Sequence, residues 1–137
     1  MIDEPETKVT LDVNPETVCQ IIGLAKEFHA QEEVVIPEEA LNPSEDWARQ
    51  VLADHADDPT YQELKGMIKD LELDQQDNLV ALMWVGRGDF TAAEWRTALD
   101  AASARRSSHT ADYLIASPLV ASYLEEGLSQ LGYSCED

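Results

Sequence analysis

Residues 79–86 read LVALMWVG, the longest apolar run in the chain, and the fold turns on them. On a helix these side chains point in every direction, the pattern of a central helix packed by neighbours on several faces. A buried strand is the rival reading of so short a run. The upstream Asp and Gln residues favour a helix, opening at Asp74 with Asp77 placed in the favourable field of its N-terminus. Gly86 and Gly88 are expected to end it. The run is far too short to span a bilayer.

Working outward, the signals for further helices come in pairs of cap and proline. Asn14-Pro15 opens a helix with Val18, Ile21, Ile22, Ala25 and Phe28 on one face. Asn42-Pro43 opens a second, with Trp47, Val51 and Leu52, after a proline-containing loop at 37–43. Asp58-Pro59 opens a third, with Tyr61, Leu64, Ile68 and Leu71. Beyond the central run, Thr91-Ala92-Ala93-Glu94 is a capping-box pattern ahead of Trp95, Ala98, Leu99 and Ala102. Residues 105–109, RRSSH, break that helix, and a short one follows from Thr110 with Tyr113 and Leu114 inward. Ser117-Pro118 precedes a final helix with Leu119, Val120, Tyr123, Leu124, Leu128 and Leu131 as its stripe and Gly132 as its stop.

Two β-branched stretches, Lys8–Val13 and Val34-Val35-Ile36, alternate or cluster as short strands do and suggest a minor N-terminal β ribbon. The expected fold is therefore all-α: a compact bundle of about six or seven helices, with or without that ribbon, in one domain over residues 1–137. Leu79 to Val85 should be its central helix, covered by the first, fifth and last.

The stretch LVALMWVGRGDFTAAEW, followed by TADYLIASPLVASYLEEGLSQLG, resembles the bacterial family called domain of unknown function 3775. The resemblance covers about residues 64–132. Upstream, NPETVCQIIGLAKEF and VLADHADDP look similar to the N-terminal part of full-length members, so helices within 14–56 would pack on the family-like core. The resemblance implies a small bacterial protein and transfers no activity, cofactor or catalytic set.

Charge bounds the partners. The chain carries 28 acidic and 9 basic residues, a formal net charge of −19. The excess lies in the first 77 residues, where 20 acids face 5 bases, against 8 and 4 in the remainder. Such a field repels phosphate backbones and anionic lipid, so neither nucleic acid nor membrane is an expected partner. Solubility is the plain reading of the charge, and attraction to a basic protein surface, or mimicry of a phosphate backbone, is the functional one. The N-terminus has no basic stretch followed by an apolar one, so no signal peptide and a cytoplasmic location are expected. Cys19 and Cys135 are then expected to be reduced thiols, and nothing else in the sequence supports a redox pair.

Residues 84–95, WVGRGDFTAAEW, concentrate the candidate chemistry. Read as a calcium loop closed by Glu94, they would put Met83, Val85 and Arg87 at coordinating positions, which no hard cation accepts. Arg87-Gly88-Asp89 as an adhesion tripeptide needs an extracellular setting that nothing here supplies. Arg87 instead stands near a helix C-terminus, where it can pair with Asp89 or Glu94 and clamp the corner between two helices. The functional alternative is a pocket near Arg87, Asp89 and His109, with Trp95 beside it, that receives an anionic group. Trp84 and Trp95 both lie at core spacing. His29, His55 and His109 have no mutual metal spacing, and His55 sits in an acidic loop that reads as solvated helix cap. There is no nucleophile elbow and no phosphate-cradling glycine loop. No metal or cofactor is expected. Two functions remain: a non-catalytic acidic interaction or regulatory protein, or a small-molecule-binding protein or enzyme at the Arg87 corner, with self-association as a third possibility.

Overall fold

The computed structural model describes residues 9–31 and 45–135. Among them are seven α-helices: α1 Pro15–His29, α2 Glu45–Leu52, α3 Pro59–Lys69, α4 Leu73–Arg87, α5 Trp95–Ala104, α6 Thr110–Ile115 and α7 Val120–Gln130. Short 3₁₀ turns at Ala53–His55 and Ala92–Glu94 follow α2 and precede α5. The arrangement is an all-α bundle.

Local chemistry starts most of these helices. The Asn14 side chain accepts the Glu16 N–H at 2.9 Å, and Asp58 accepts those of Thr60 and Tyr61 at 2.8 and 3.2 Å. Pro15 and Pro59 sit at the first helical position of α1 and α3, where a missing donor costs nothing. The Thr91–Glu94 capping box forms, but it initiates the 3₁₀ turn that leads into α5. Gly88 at φ +99° and Gly132 at φ +97° end α4 and α7 in the left-handed region.

α4 is the buried axle. Every residue from Gln76 to Val85 is enclosed, and α7 and α5 are its principal neighbours. Its start lies one residue earlier than the sequence suggests: Glu72 is the N-cap and forms a capping box with Gln75. Asp77 therefore does not decorate the N-terminus. It is buried a turn further on.

Gly86 does not terminate α4 but lies inside it, at the crossing with α7. A Cβ built on Gly86 would fall 1.8 Å from the Tyr123 carbonyl oxygen, and one on Gly127 would fall 2.3 Å from that of Leu82. The two helices thus touch backbone to backbone, which only hydrogen side chains allow. This close approach lets Leu82, Val85, Leu124 and Leu128 enter one apolar cluster that runs from Val13 to Leu131.

Three further expectations change. The first helix does not cover α4 as a principal neighbour; α1 packs chiefly on α7 and α3, while α2 and α3 pack on α6. α6 buries all six of its residues, the expected Tyr113 and Leu114 among them. Leu119 precedes α7 and is 45% exposed, outside its stripe. Residues 9–13 are irregular and form no strand, because Val9 bonds to the C-terminal segment instead: its N–H donates to Leu131 O at 3.3 Å and its carbonyl accepts from the Tyr133 hydroxyl. The proposed ribbon partner Val34–Ile36, the 37–43 loop and the Asn42-Pro43 cap lie outside the described residues.

Cys19 and Cys135 are joined in a disulfide, not held as free thiols. The fold brings α1 beside the C-terminal segment although the two cysteines are 116 residues apart in sequence. Linear spacing could not reveal that proximity.

The α4–α7 contact predicts a sharp contrast between glycines. Gly86→Ala should cost about 3 kcal/mol or more in urea unfolding, since backbone must move to admit the methyl group. Gly23→Ala on α1, where an added Cβ meets nothing within 4 Å, should gain about 0.5–1 kcal/mol from helix propensity.

Candidate functional site

The Arg87 corner is built where α4 turns into α5. The left-handed Gly88 directs its N–H, at 3.0 Å, and that of Asp89, at 2.9 Å, onto the Trp84 carbonyl, which brings Asp89 back under Arg87. The Arg87 guanidinium donates from Nε and Nη2 to one Asp89 oxygen at 2.8 and 2.6 Å. The Glu94 carboxylate accepts the Thr91 N–H at 2.8 Å and closes the capping box. Trp95 is buried in the core. His109 stands at the start of α6, half-buried, its backbone N–H donated to Ser107 Oγ at 3.0 Å. The structure thus joins Arg87 to Asp89 and assigns Glu94 and Trp95 to capping and packing. Neither of the two concavities described below is lined by Arg87, Asp89 or His109.

Buried polar side chains form three anchors that the sequence reading passed over. Asp112 on α6 accepts the Tyr61 hydroxyl at 2.6 Å and faces Lys65 Nζ at 3.3 Å, tying α3 to α6. Burial and the Asp112 carboxylate raise the Tyr61 phenol well above its ordinary value, so it stays a donor. Asp77 on α4 is clasped by Arg106 through Nε and Nη2, and that bond lifts the guanidinium further. The Trp84 indole N–H donates to the Tyr113 hydroxyl at 3.0 Å, while the Arg105 guanidinium lies 3.8 Å from the Tyr113 ring centroid. Asn78 completes the pattern: it accepts the Asp12 N–H at 2.9 Å and donates to Asp74 O. The Asp112, Asp77, Trp84 and Asn78 side chains are thus charges or dipoles satisfied inside the chain, which is how folded proteins tolerate buried polar groups. The available signal was an acid or amide in a buried register, as in Asp112 of TADYLI.

An aromatic cluster sits beside the Tyr61 anchor. The Phe28 ring meets His29, His55 and Tyr61 at centroid distances of 5.0, 5.7 and 5.9 Å. His29 Nε2 bonds Ile115 O at 2.8 Å. Burial, reinforced by His55, lowers the His29 pKa below its ordinary 6.5, against the opposing pull of the Ile115 carbonyl.

Two concavities are described. One is an apolar void lined by Ile21, Leu64, Leu79, Leu114 and Leu124 among others, with room of about 10 Å³, too small for a ligand. The other is an open groove of about 500 Å³ between α1 and α3, bordered by Thr17 and Gln20 on one side and by Glu63, Gly66, Met67 and Asp70 on the other. No group of three or more His, Cys, Asp or Glu among the described residues could hold a metal ion, and no helix there is long and apolar enough to cross a membrane.

These features define an acidic all-helical protein with an enclosed central helix and internally satisfied polar anchors. The chain belongs to the family described as "Protein of unknown function (DUF3775)", whose model matches residues 61–133. No curated protein and no solved structure matches it. The matched segment takes in nearly all of α3 and the whole of α4 to α7. The disulfide and the α1 wall of the groove lie outside it.

Two measurements test the anchors. Tyr61→Phe should cost about 1–3 kcal/mol by urea unfolding, since Asp112 loses its hydroxyl donor in a buried setting. Stability should also fall on acidification. Above pH 6.5 His29 is neutral in both states; below it the unfolded chain takes up a proton that the folded chain resists, so stability declines from 6.5 down through the lowered folded value. His29→Gln, which retains a donor for Ile115 O, should flatten that part of the pH profile relative to the parent.

Proposed function

We propose that the protein is a non-catalytic interaction or regulatory module whose acidic surface receives a basic protein partner. The observation that carries this reading is how the cations are spent. Lys26 pairs with Glu125 at 2.8 Å, Lys65 with Asp112, Arg87 with Asp89, Arg96 with Asp100 and Arg106 with Asp77. The exposed carboxylates of Glu16, Glu27, Asp57, Glu63, Asp70 and Asp74 make no ion pair among the described residues. The large apolar side chains exposed there, Leu73 and Leu119, stand singly, so the surface favours electrostatic over hydrophobic association.

The reading includes a cytoplasmic location, in which the Cys19–Cys135 disulfide would have to persist although most thiols there are kept reduced. Alkylation of fresh denatured host extract without reductant should therefore leave Cys19 and Cys135 unlabelled. Labelling of both would contradict the disulfide.

To test the function, host extract is passed over the immobilised chain at low salt and eluted by raising the salt. Basic proteins should be retained and released well before molar ionic strength, where the screening length is about 3 Å. Retention that ignores salt, or none beyond that on a control protein of equal negative charge, would refute the electrostatic reading.

A further inference from the structure

The groove between α1 and α3 holds two residues that work against their own helix. Gly66 lies inside α3, where glycine costs about 1 kcal/mol relative to alanine. Nothing in the fold demands it: a Cβ placed there meets no atom within 4 Å. Asp70 is the C-cap of the same helix, with its carboxylate at the negative end of the helix dipole. Both border the groove. Locally unfavourable choices that share one surface and lack an internal reason mark places where a protein serves something other than its own stability.

The same groove has a definite chemistry. Met67 and Leu71 are half-buried and give it an apolar floor, while Glu63 and Asp70 stand exposed at its edge. Lys65, from the same helix, is turned away to Asp112, and Lys26 of α1 is held by Glu125. Lys69 is the exposed cation of α3 and sits in its last turn.

We propose that this groove is the seat of a basic amphipathic helix presented by a partner protein. Lysine or arginine side chains of the incoming helix would meet Glu63 and Asp70, where a cation relieves the unfavourable position of Asp70. Its apolar face would rest on Met67 and Leu71, and its backbone would approach at Gly66, where no side chain holds it off. The proposal deepens the functional reading above and rests on it.

The test uses the full-length chain and a synthetic Lys–Leu amphipathic peptide about three helical turns long. Binding is followed by fluorescence anisotropy at several salt concentrations, with amide shift changes in the ¹⁵N spectrum locating the contact. Shift changes should concentrate in α1 and α3. Asp70→Lys and Glu63→Lys should each weaken binding about tenfold, whereas Asp100→Lys on α5, an equal change in charge, should weaken it less than about threefold. Gly66→Leu is the sharper variant: it should leave the urea midpoint unchanged or raise it, yet weaken the peptide about tenfold. If Gly66→Leu and Asp70→Lys act no more strongly than Asp100→Lys, the groove is not the seat and only diffuse attraction remains. If the peptide does not bind at low salt, the basic-partner reading falls with it. Concentration-dependent light scattering abolished by Gly66→Leu would instead assign the groove to a second copy of the chain.

Discussion

At the point where they cross, α4 and α7 meet backbone to backbone with no side chain between them. Gly86 and Gly127 let each helix rest on the other's carbonyl groups, and the remainder of the bundle depends on that separation. With the two axes so close, the branched side chains on either side of the crossing fill the core from both flanks, and α5 and α1 can close over the outer faces of the pair. Any residue larger than glycine at the crossing would push the helices apart and open voids along their whole contact, in an interior that tolerates few.

Polar anchors then fix what the apolar contacts leave free. Hydrophobic packing is non-directional and would permit α6 to slide or rotate in its enclosed position. The Tyr61–Asp112–Lys65 set and the Trp84–Tyr113 bond define its register against α3 and α4. The Arg106–Asp77 pair fixes the loop between α5 and α6 to the buried face of α4. With Lys26–Glu125, Arg87–Asp89 and Arg96–Asp100, these pairs engage five of the chain's nine basic residues, and the outward face of α1 and α3 is left acidic. One set of ion pairs therefore shapes both the fold and the surface offered to a partner.

Much of the architecture was legible because it is local. Asn14-Pro15 and Asp58-Pro59 announce their helices through short-range hydrogen bonds, and the apolar registers of α1, α3 and α5 follow from helical spacing. LVALMWVG declared itself central by being apolar on every side. What stayed hidden is non-local. Gly86 reads as a stop in one dimension and becomes a contact in three, because its role depends on Gly127, forty-one positions away. Cys19 and Cys135 carry no sign of their pairing until α1 and the C-terminal segment are brought together. Lys8–Val13 has the alternation of a strand, but the backbone groups of Val9 bond to Leu131 and Tyr133 instead. The candidate site divides the same way. Arg87 and Asp89 are near neighbours and their pairing was readable, whereas the α1–α3 groove joins residues separated by the whole of α2. Its only traces in sequence were a glycine within a helix and an aspartate at a helix end.

The most direct test of the account is native-state hydrogen exchange of the α4 amides from Leu79 to Gly86. If the α4–α7 crossing holds the bundle together, these amides should be the slowest to exchange, with an opening free energy equal to that of global unfolding and the same dependence on denaturant. Exchange of this segment through a cheaper local opening, while α1 or α3 stays protected, would contradict it.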